Sequence, residues 1–258
     1  MSKLAIITTH PVQYYAPVFK RLTQVHPQTK VFYTWGTASI EKYDPDFRKV
    51  IAWDIPLLDG YDYEFLANSS ARPGTSHFRG IVNPKILQAI NNYGADILLI
   101  YGWSWQSHLQ IMRHFAGKKK IWFRGDSTCL DPIPQLKAFF RRQLLRWVYS
   151  HVDLAFYVGT ENRKYYQHVG LRDNQLRFAP HAIDNNRYSS NQKDESRRIR
   201  KELGISETGT VILFAGKFEP KKDPFVLLDA FEAIQGDNIF LLFVGNGMLE
   251  AELKDRSE

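Results

Sequence analysis

Three lysines, Lys217, Lys221 and Lys222, follow Gly216 in a short polar stretch of the chain. Before it lies Val211-Ile-Leu-Phe214, a β-prone apolar run bounded by Gly209 and Gly216. After it, Phe225, Leu227, Leu228, Phe231 and Ile234 recur at helical spacing. Asp223 suits the N-cap of that helix and Pro224 its first position. A strand therefore delivers these lysines and a helix N-terminus receives them. A glycine lets a ligand approach the backbone, lysines supply positive charge, and a helix N-terminus favours anions. The chemistry this combination suits is holding a phosphate or diphosphate, with Lys217 and Lys222 as the charged groups. A solvated turn that carries three lysines reads the same residues equally well.

Other candidates follow other apolar runs. His10, Gln13 and Tyr14 come after Leu4–Thr9, and Trp103, Trp105, Gln106 and His108 come after Asp96–Tyr101. Arg124-Gly-Asp-Ser127 closes the run Lys120–Arg124. Loops at the carboxyl ends of parallel strands are where α/β folds bind ligands. His10, Gln13, Tyr14, Trp103, Arg124 and Asp126 are therefore candidates for a ligand cleft. Flat tryptophans suit sugar faces, and near strand ends they also serve as core or rim. His181 and the remaining histidines are isolated, which favours structural roles. Gly245-Asn-Gly247 ends the apolar run Ile239–Val244, without the third glycine of a dinucleotide fingerprint. No His/Cys/Asp cluster has metal-ligand spacing, and no serine sits in a nucleophile elbow. Neither a metal nor another cofactor is expected.

The elements that must place these residues alternate through most of the chain. Strands are predicted at Leu4–Thr9, Val31–Trp35, Asp96–Tyr101, Lys120–Arg124 and Asp153–Val158. Helices are predicted from about Pro17, from a cap at Asn83-Pro84 to about Tyr93, after Trp105 and over about Pro134–His151. In the last of these, Leu136, Phe140, Leu144, Trp147 and Val148 share a face, with Arg142 and Arg146 roughly opposite. Thr160 suits an N-cap and Gly170 a helix stop. The stretch from Gly36 to Gly80 is irregular, with Tyr63–Leu66 its one clear strand candidate. Strands separated by helices of this length make parallel βαβ units, so the fold class is doubly wound, Rossmann-like α/β. After Asp184 the composition turns polar through Glu195, as an interdomain linker should. The expected division is a first domain at 1–184 and the beginning of a second at 185–258.

With 44% hydrophobic and 14% aromatic residues among 258, the chain can build a sizeable core. Its single cysteine, Cys129, excludes an internal disulfide framework and fits a reducing cytosol. No apolar run approaches the roughly 20 residues needed to span a bilayer. These features lead to an expectation of a cytoplasmic protein. The formal charge of +7 implies an acidic partner. Basic residues are scattered except in Arg197–Lys201, which neighbours Asp194 and Glu195 and reads as a solvated helix face, so nucleic acid is not expected.

Gly216-Lys217-Phe218-Glu219-Pro220-Lys221-Lys222-Asp223, followed by Val226–Phe231, resembles the opening of the nucleotide-sugar domain in family 4 glycosyltransferases. Those are retaining enzymes of the GT-B architecture. Lys217 stands where that family usually has Arg, Lys222 matches the family Lys, and Asp223 replaces the usual Gly. Ala179–Tyr188 is similar to the segment that leaves the family's first Rossmann domain. The resemblance implies an acceptor-side domain followed by an incomplete donor-side domain, since the family pattern continues past Glu258 with a pair of glutamates. It further implies a hexosyltransferase that moves sugar from a nucleotide diphosphate sugar to a hydroxyl with retention, in cell-surface glycan or polysaccharide synthesis. Lys217 and Lys222 would be catalytic, and Gly216, Gly245, Asn246 and Gly247 would bind the donor. A glycan or lipid-linked acceptor, and peripheral contact with the anionic inner face of a membrane through Arg141, Arg142 and Arg146, complete the expectation. A GT-B-like epimerase or phosphorylase, or a non-catalytic half-enzyme binding module, remains the alternative.

Overall fold

The structure is a computed structural model that describes residues 2–37, 42–44, 49–51, 55–130, 134–189, 191–234 and 236–257. In chain order the first elements are β1 (Leu4–Thr8), α1 (Ala16–Val25), β2 (Thr29–Tyr33), β3 (Lys42–Asp44), β4 (Lys49–Ile51) and β5 (Asp62–Phe65). Next come α2 (Ile86–Tyr93), β6 (Ile97–Tyr101), α3 (Gln106–Phe115), β7 (Lys120–Arg124), α4 (Gln135–Tyr149), β8 (Leu154–Tyr157), α5 (Thr160–His168) and β9 (Leu176–Phe178). The chain ends with α6 (Asn185–Tyr188), α7 (Lys193–Glu202), β10 (Thr210–Ala215), α8 (Pro224–Glu232), β11 (Ile239–Val244) and α9 (Glu250–Ser257). Two compact units result, one from 1–40 and 53–184, the other from 41–52 and 185–258.

The first unit is built on a seven-stranded sheet in the order β5-β2-β1-β6-β7-β8-β9, with every pairing parallel. All five residues of β1 are buried, which is why that strand reads as a continuous apolar run. Successive side chains point to opposite faces: Ala5 and Ile7 join one core cluster, Leu4 and Ile6 the other. The same alternation sends Leu98 and Ile100 of β6 to one face and Leu99 to the other. The doubly wound class expected from the alternation of elements is what the chain forms.

Local differences have physical causes. The irregular stretch before Gly80 supplies β5, which pairs with β2 at the sheet edge from Lys30↔Asp62 to Tyr33↔Phe65. Lys30 and Glu64 add an ion pair of 2.9 Å across that edge. Asn83 does not cap α2 with its side chain. It is buried, and its Nδ2 donates to the carbonyls of Thr34 (2.8 Å) and Ala67 (2.9 Å), tying the exits of β2 and β5 to the start of α2. At α5 the cap position belongs to Gly159, not Thr160. There the Asn162 Oδ1 reaches back to accept the Val158 N–H at 3.0 Å. Gly170 does follow α5, with φ +103.

Helix α4 departs most from expectation. Of the five residues predicted to share a face, only Val148 is buried. Leu136, Phe140, Leu144 and Trp147 are 72%, 65%, 49% and 42% exposed. The helix packs on the core through Leu145, Val148 and Tyr149 instead.

In the second unit β10 and β11 pair in parallel from Thr210↔Ile239 to Ala215↔Val244. Phe218, Leu228 and Leu253 form its small core, with Phe214, Phe225, Leu241, Phe243 and Leu249 packed against it. β3 and β4 make an antiparallel hairpin. Helix α7 is a solvated face, as its charge pattern suggests: Arg198 pairs with Glu195 and Glu202 on successive turns.

His108 locks the exit of β6. Its Nδ1 donates to the Gly102 carbonyl at 2.9 Å, and its Nε2 lies 2.9 Å from Thr34 Oγ1. A carbonyl can only accept, so the neutral ring carries its proton on Nδ1 and leaves Nε2 as an acceptor, which shares the one Thr34 hydroxyl proton with the Thr8 carbonyl at 3.1 Å. Burial lowers its pKa to about 4, against smaller upward effects of the Gly102 and Tyr101 backbone. The unfolded chain, with a histidine near 6.5, binds the proton first, so stability is full above pH 6.5 and declines as pH falls toward 4. The expected loss is about 3 kcal/mol at the acid end. Urea unfolding of the parent and of His108→Asn across this range checks it: the parent's extra acid sensitivity should vanish in the variant.

Candidate ligand sites

The sheet order reverses between β1 and β6: β2 and β5 extend to one side of β1, while β6 to β9 extend to the other. Loops that leave the carboxyl ends of these two strands diverge, which opens the crevice where doubly wound sheets bind ligands. The candidates of the first unit gather there. His10 follows β1, with Nδ1 2.7 Å from Thr9 Oγ1 and its ring edge-on to Trp35 at 5.5 Å. Gln13 is exposed. Tyr14 is 43% exposed, stands edge-on to His181 at 6.2 Å, and feels the Asp126 carboxylate. Desolvation, and then Asp126, raise its phenol pKa above the ordinary value.

Tyr15 and Tyr101 belong to the same cluster, and sequence patterning gave no separate signal for them. Their rings lie 4.8 Å apart. Burial pushes the Tyr15 phenol up to about 12, with Tyr14 adding to the rise and Arg124 opposing it. Burial also raises the Tyr101 phenol, again against Arg124. These phenols stay protonated at neutral pH and can donate hydrogen bonds.

Arg124 and Trp103 have structural work as well. Arg124 is 9% exposed, and its guanidinium donates to the carbonyls of Ala179 (2.6 Å) and Pro180 (3.2 Å). It holds the end of β9 against the sheet and leaves its charge beside Tyr15 and Tyr101. Asp126, two residues on, is exposed. Trp103 is half-buried and packs against the core, so it is rim more than platform. Trp105 Nε1 donates to the Thr75 carbonyl at 3.1 Å. Among the described residues no three His, Cys, Asp or Glu side chains converge to hold a metal ion.

The second unit contains its own candidate. The loop after β10 and the loop after β11 lie backbone against backbone. Gly216 N–H donates to the Val244 carbonyl (2.9 Å), Phe218 N–H to the Asn246 carbonyl (2.9 Å), and Leu249 N–H to the Phe218 carbonyl (3.0 Å). A Cβ on Gly245 would overlap the Gly216 carbonyl, and one on Gly247 would overlap the Phe218 carbonyl. Gly245 and Gly247 are therefore required for this crossing, and Gly216 provides the surface they cross. Phe218 is buried beneath the crossing and anchors it to the core.

That anchoring places the lysines. Lys217, half-buried, leaves the end of β10 one residue before Phe218. The chain then makes a 3-10 turn, Pro220–Lys222, and enters α8 at Pro224. In such a turn successive side chains point about 120° apart, so Lys221 and Lys222 diverge. Asp223 occupies the cap position, but with φ +43, ψ +62 and no side-chain cap bond. Its backbone instead closes the turn, donating to the carbonyls of Glu219 and Pro220 at 3.2 Å each. This left-handed conformation is one that glycine adopts most easily. The first N–H groups of α8 have no partner within the helix and give its N-terminus a partial positive charge.

Comparison with known proteins bears on this second unit directly. Residues 195–258 match the family model of glycosyl transferases group 1. No curated protein matches the chain. Solved structures share its fold. A complex of Anabaena HepE with UDP superposes with a TM-score of 0.64 at 14% identity, covering 99% of this chain and 65% of that one. HepE in complex with UDP-glucose gives 0.62 at 13%, covering 99% and 65%. UDP-N-acetylglucosamine 2-epimerase of Rickettsia bellii gives 0.56 at 16%, covering 99% and 64%. The chain has a GT-B-type fold and spans about two thirds of the length of these neighbours, just under that share for each.

The loop crossing makes a prediction. Gly245→Ala should disrupt the second unit, and with it any anion binding there. Asp223→Gly should be tolerated, while Asp223→Val should cost about 1–2 kcal/mol through the left-handed backbone. Thermal unfolding of the three variants should rank them Asp223→Gly above Asp223→Val, with Gly245→Ala lowest.

Proposed function

We propose that the protein transfers a hexose from a nucleotide diphosphate sugar to a hydroxyl acceptor, with retention at the anomeric carbon, in cell-surface glycan or polysaccharide synthesis. The observation that carries this reading is the crossed pair of glycine loops at the carboxyl end of β10, from which Lys217 and the N-terminus of α8 follow, within the stretch that matches glycosyl transferases group 1. The donor diphosphate would lie against Gly216 and the Gly245–Gly247 loop. Lys217 and Lys222 would neutralise the charge that grows on the departing diphosphate, and the helix dipole would add a smaller share. Fixed positive charge of this kind needs no resident metal, and none is part of the proposal.

His10, Gln13, Tyr14 and Asp126 would meet the acceptor, with the protonated phenols of Tyr15 and Tyr101 beneath them. The likeness to HepE, whose solved structures hold UDP and UDP-glucose, supports a nucleotide-sugar donor. A glycan or lipid-linked acceptor, reached in the cytoplasm at the inner face of an anionic membrane, fits the basic surplus. One observation favours a second reading: the fold is shared with a UDP-N-acetylglucosamine 2-epimerase. An assay of products separates the two, since transfer yields a glycosylated acceptor and epimerisation a rearranged sugar.

Lys217→Ala and Lys222→Ala should each weaken donor binding and turnover by about ten- to a thousand-fold, the usual cost of removing a charge-assisted contact. Lys221→Ala, whose side chain diverges from that of Lys222, should stay within about twofold. Equilibrium binding of a nucleoside diphosphate to the three variants measures this. Unchanged affinity in both Lys217→Ala and Lys222→Ala contradicts the assignment.

A further inference from the structure

Helix α4 presents an apolar stripe to solvent. At about 100° per residue, Phe140, Leu144 and Trp147 fall within about 80° of Leu136 around the helix axis, and Phe139 about 60° to its other side. All five are 42–72% exposed. Leu145, Val148 and Tyr149, which pack on the core, cluster about 180° away. The stripe is thus centred opposite the core face, where a helix of a soluble domain normally carries charge.

The charge lies along both borders of that stripe. Lys137 falls on one flank and Arg142 and Arg146 on the other, Arg141 turns toward the core side beside Tyr165, and no acidic residue occurs between Gln135 and Tyr149. Apolar residues in the centre, cations on both flanks and no acid is the pattern of a helix that lies in a bilayer interface. At the carboxyl end the stripe borders a groove of 760 Å³ between α3 and α4, lined by Gln106, Gln110, Arg113, His114, Trp147 and His151. The Arg113 guanidinium sits 5.5 Å from the centre of the Trp147 ring. An indole beside a cation and a polar groove suits the headgroup level of a membrane, with the groove able to take a lipid phosphate.

We infer that the outward face of α4 is a docking surface for an anionic membrane, with Leu136, Phe139, Phe140, Leu144 and Trp147 entering the interface and the flanking cations meeting lipid phosphates. This gives the membrane contact proposed above a defined surface, and it stands apart from the donor site of the second unit. The basic flanks match anionic lipid in charge, whereas a second copy of the same helix would bring like charges together.

Flotation of the whole chain with phosphatidylcholine vesicles, and with vesicles containing about one third phosphatidylglycerol, tests it. The parent should bind the anionic vesicles at least about tenfold more tightly, and high salt should weaken that binding. Leu136→Ser/Phe140→Ser/Leu144→Ser should lose at least about tenfold in anionic-vesicle affinity, and Lys137→Gln/Arg142→Gln/Arg146→Gln should lose the preference for anionic lipid. Both variants should bind nucleoside diphosphate as the parent does, which keeps this test separate from the donor-site reading. Equal binding to the two vesicle types, or undiminished binding by the serine variant, overturns the inference. So does self-association of the parent, abolished in the serine variant, without vesicle binding.

Discussion

The candidate donor site depends on two backbones approaching more closely than any side chain would allow. Gly245 and Gly247 cross Gly216 and Phe218 with no room for a Cβ, and three backbone hydrogen bonds hold them there. Everything else in the site follows from that contact. Phe218 is pinned in the small core, so Lys217 on one side of it and the Pro220–Lys222 turn on the other have fixed starting points. Asp223 accepts an unfavourable left-handed backbone to turn the chain into α8. Glycine here serves packing first, and the ligand surface is a consequence of that packing.

The first unit solves a similar problem with side chains. Its crevice between the exits of β1 and β6 is shaped by buried polar groups that occupy backbone carbonyls: Asn83 on Thr34 and Ala67, His108 on Gly102, Arg124 on Ala179 and Pro180. A buried carbonyl left without a donor is costly, so these residues hold the loop ends in place. They leave Tyr14, Gln13 and Asp126 at the surface as the groups free to vary with a ligand's chemistry.

Much of this was legible in the residues alone because burial on both sheet faces writes continuous apolar runs. β1 and β6 are such runs, β10 and β11 are as apolar in sequence but only partly buried, and the fold class followed from the alternation of strands with helices. Four things were hidden. The face of α4 could be counted but not oriented, since a periodic apolar stripe looks the same whether a core or a membrane covers it. The capping role expected of Asn83 gave way to long-range bonds that join residues far apart in sequence, which local patterning cannot see. The cap at Asp223 was right in position and wrong in mechanism, because a preceding 3-10 turn changed the backbone on which a side-chain cap depends. The pairing of Tyr15 with Tyr101 is likewise a product of topology.

The central claim is that the crossed loops and the start of α8 form one anion-binding surface. Amide hydrogen exchange on the whole chain, with and without a nucleoside diphosphate, tests it most directly. Exchange should slow on binding at Gly216–Asp223, at Gly245–Leu249 and in the first turn of α8, with little change along α4. Binding that leaves those amides unprotected, or protects only the loops of the first unit, would contradict it.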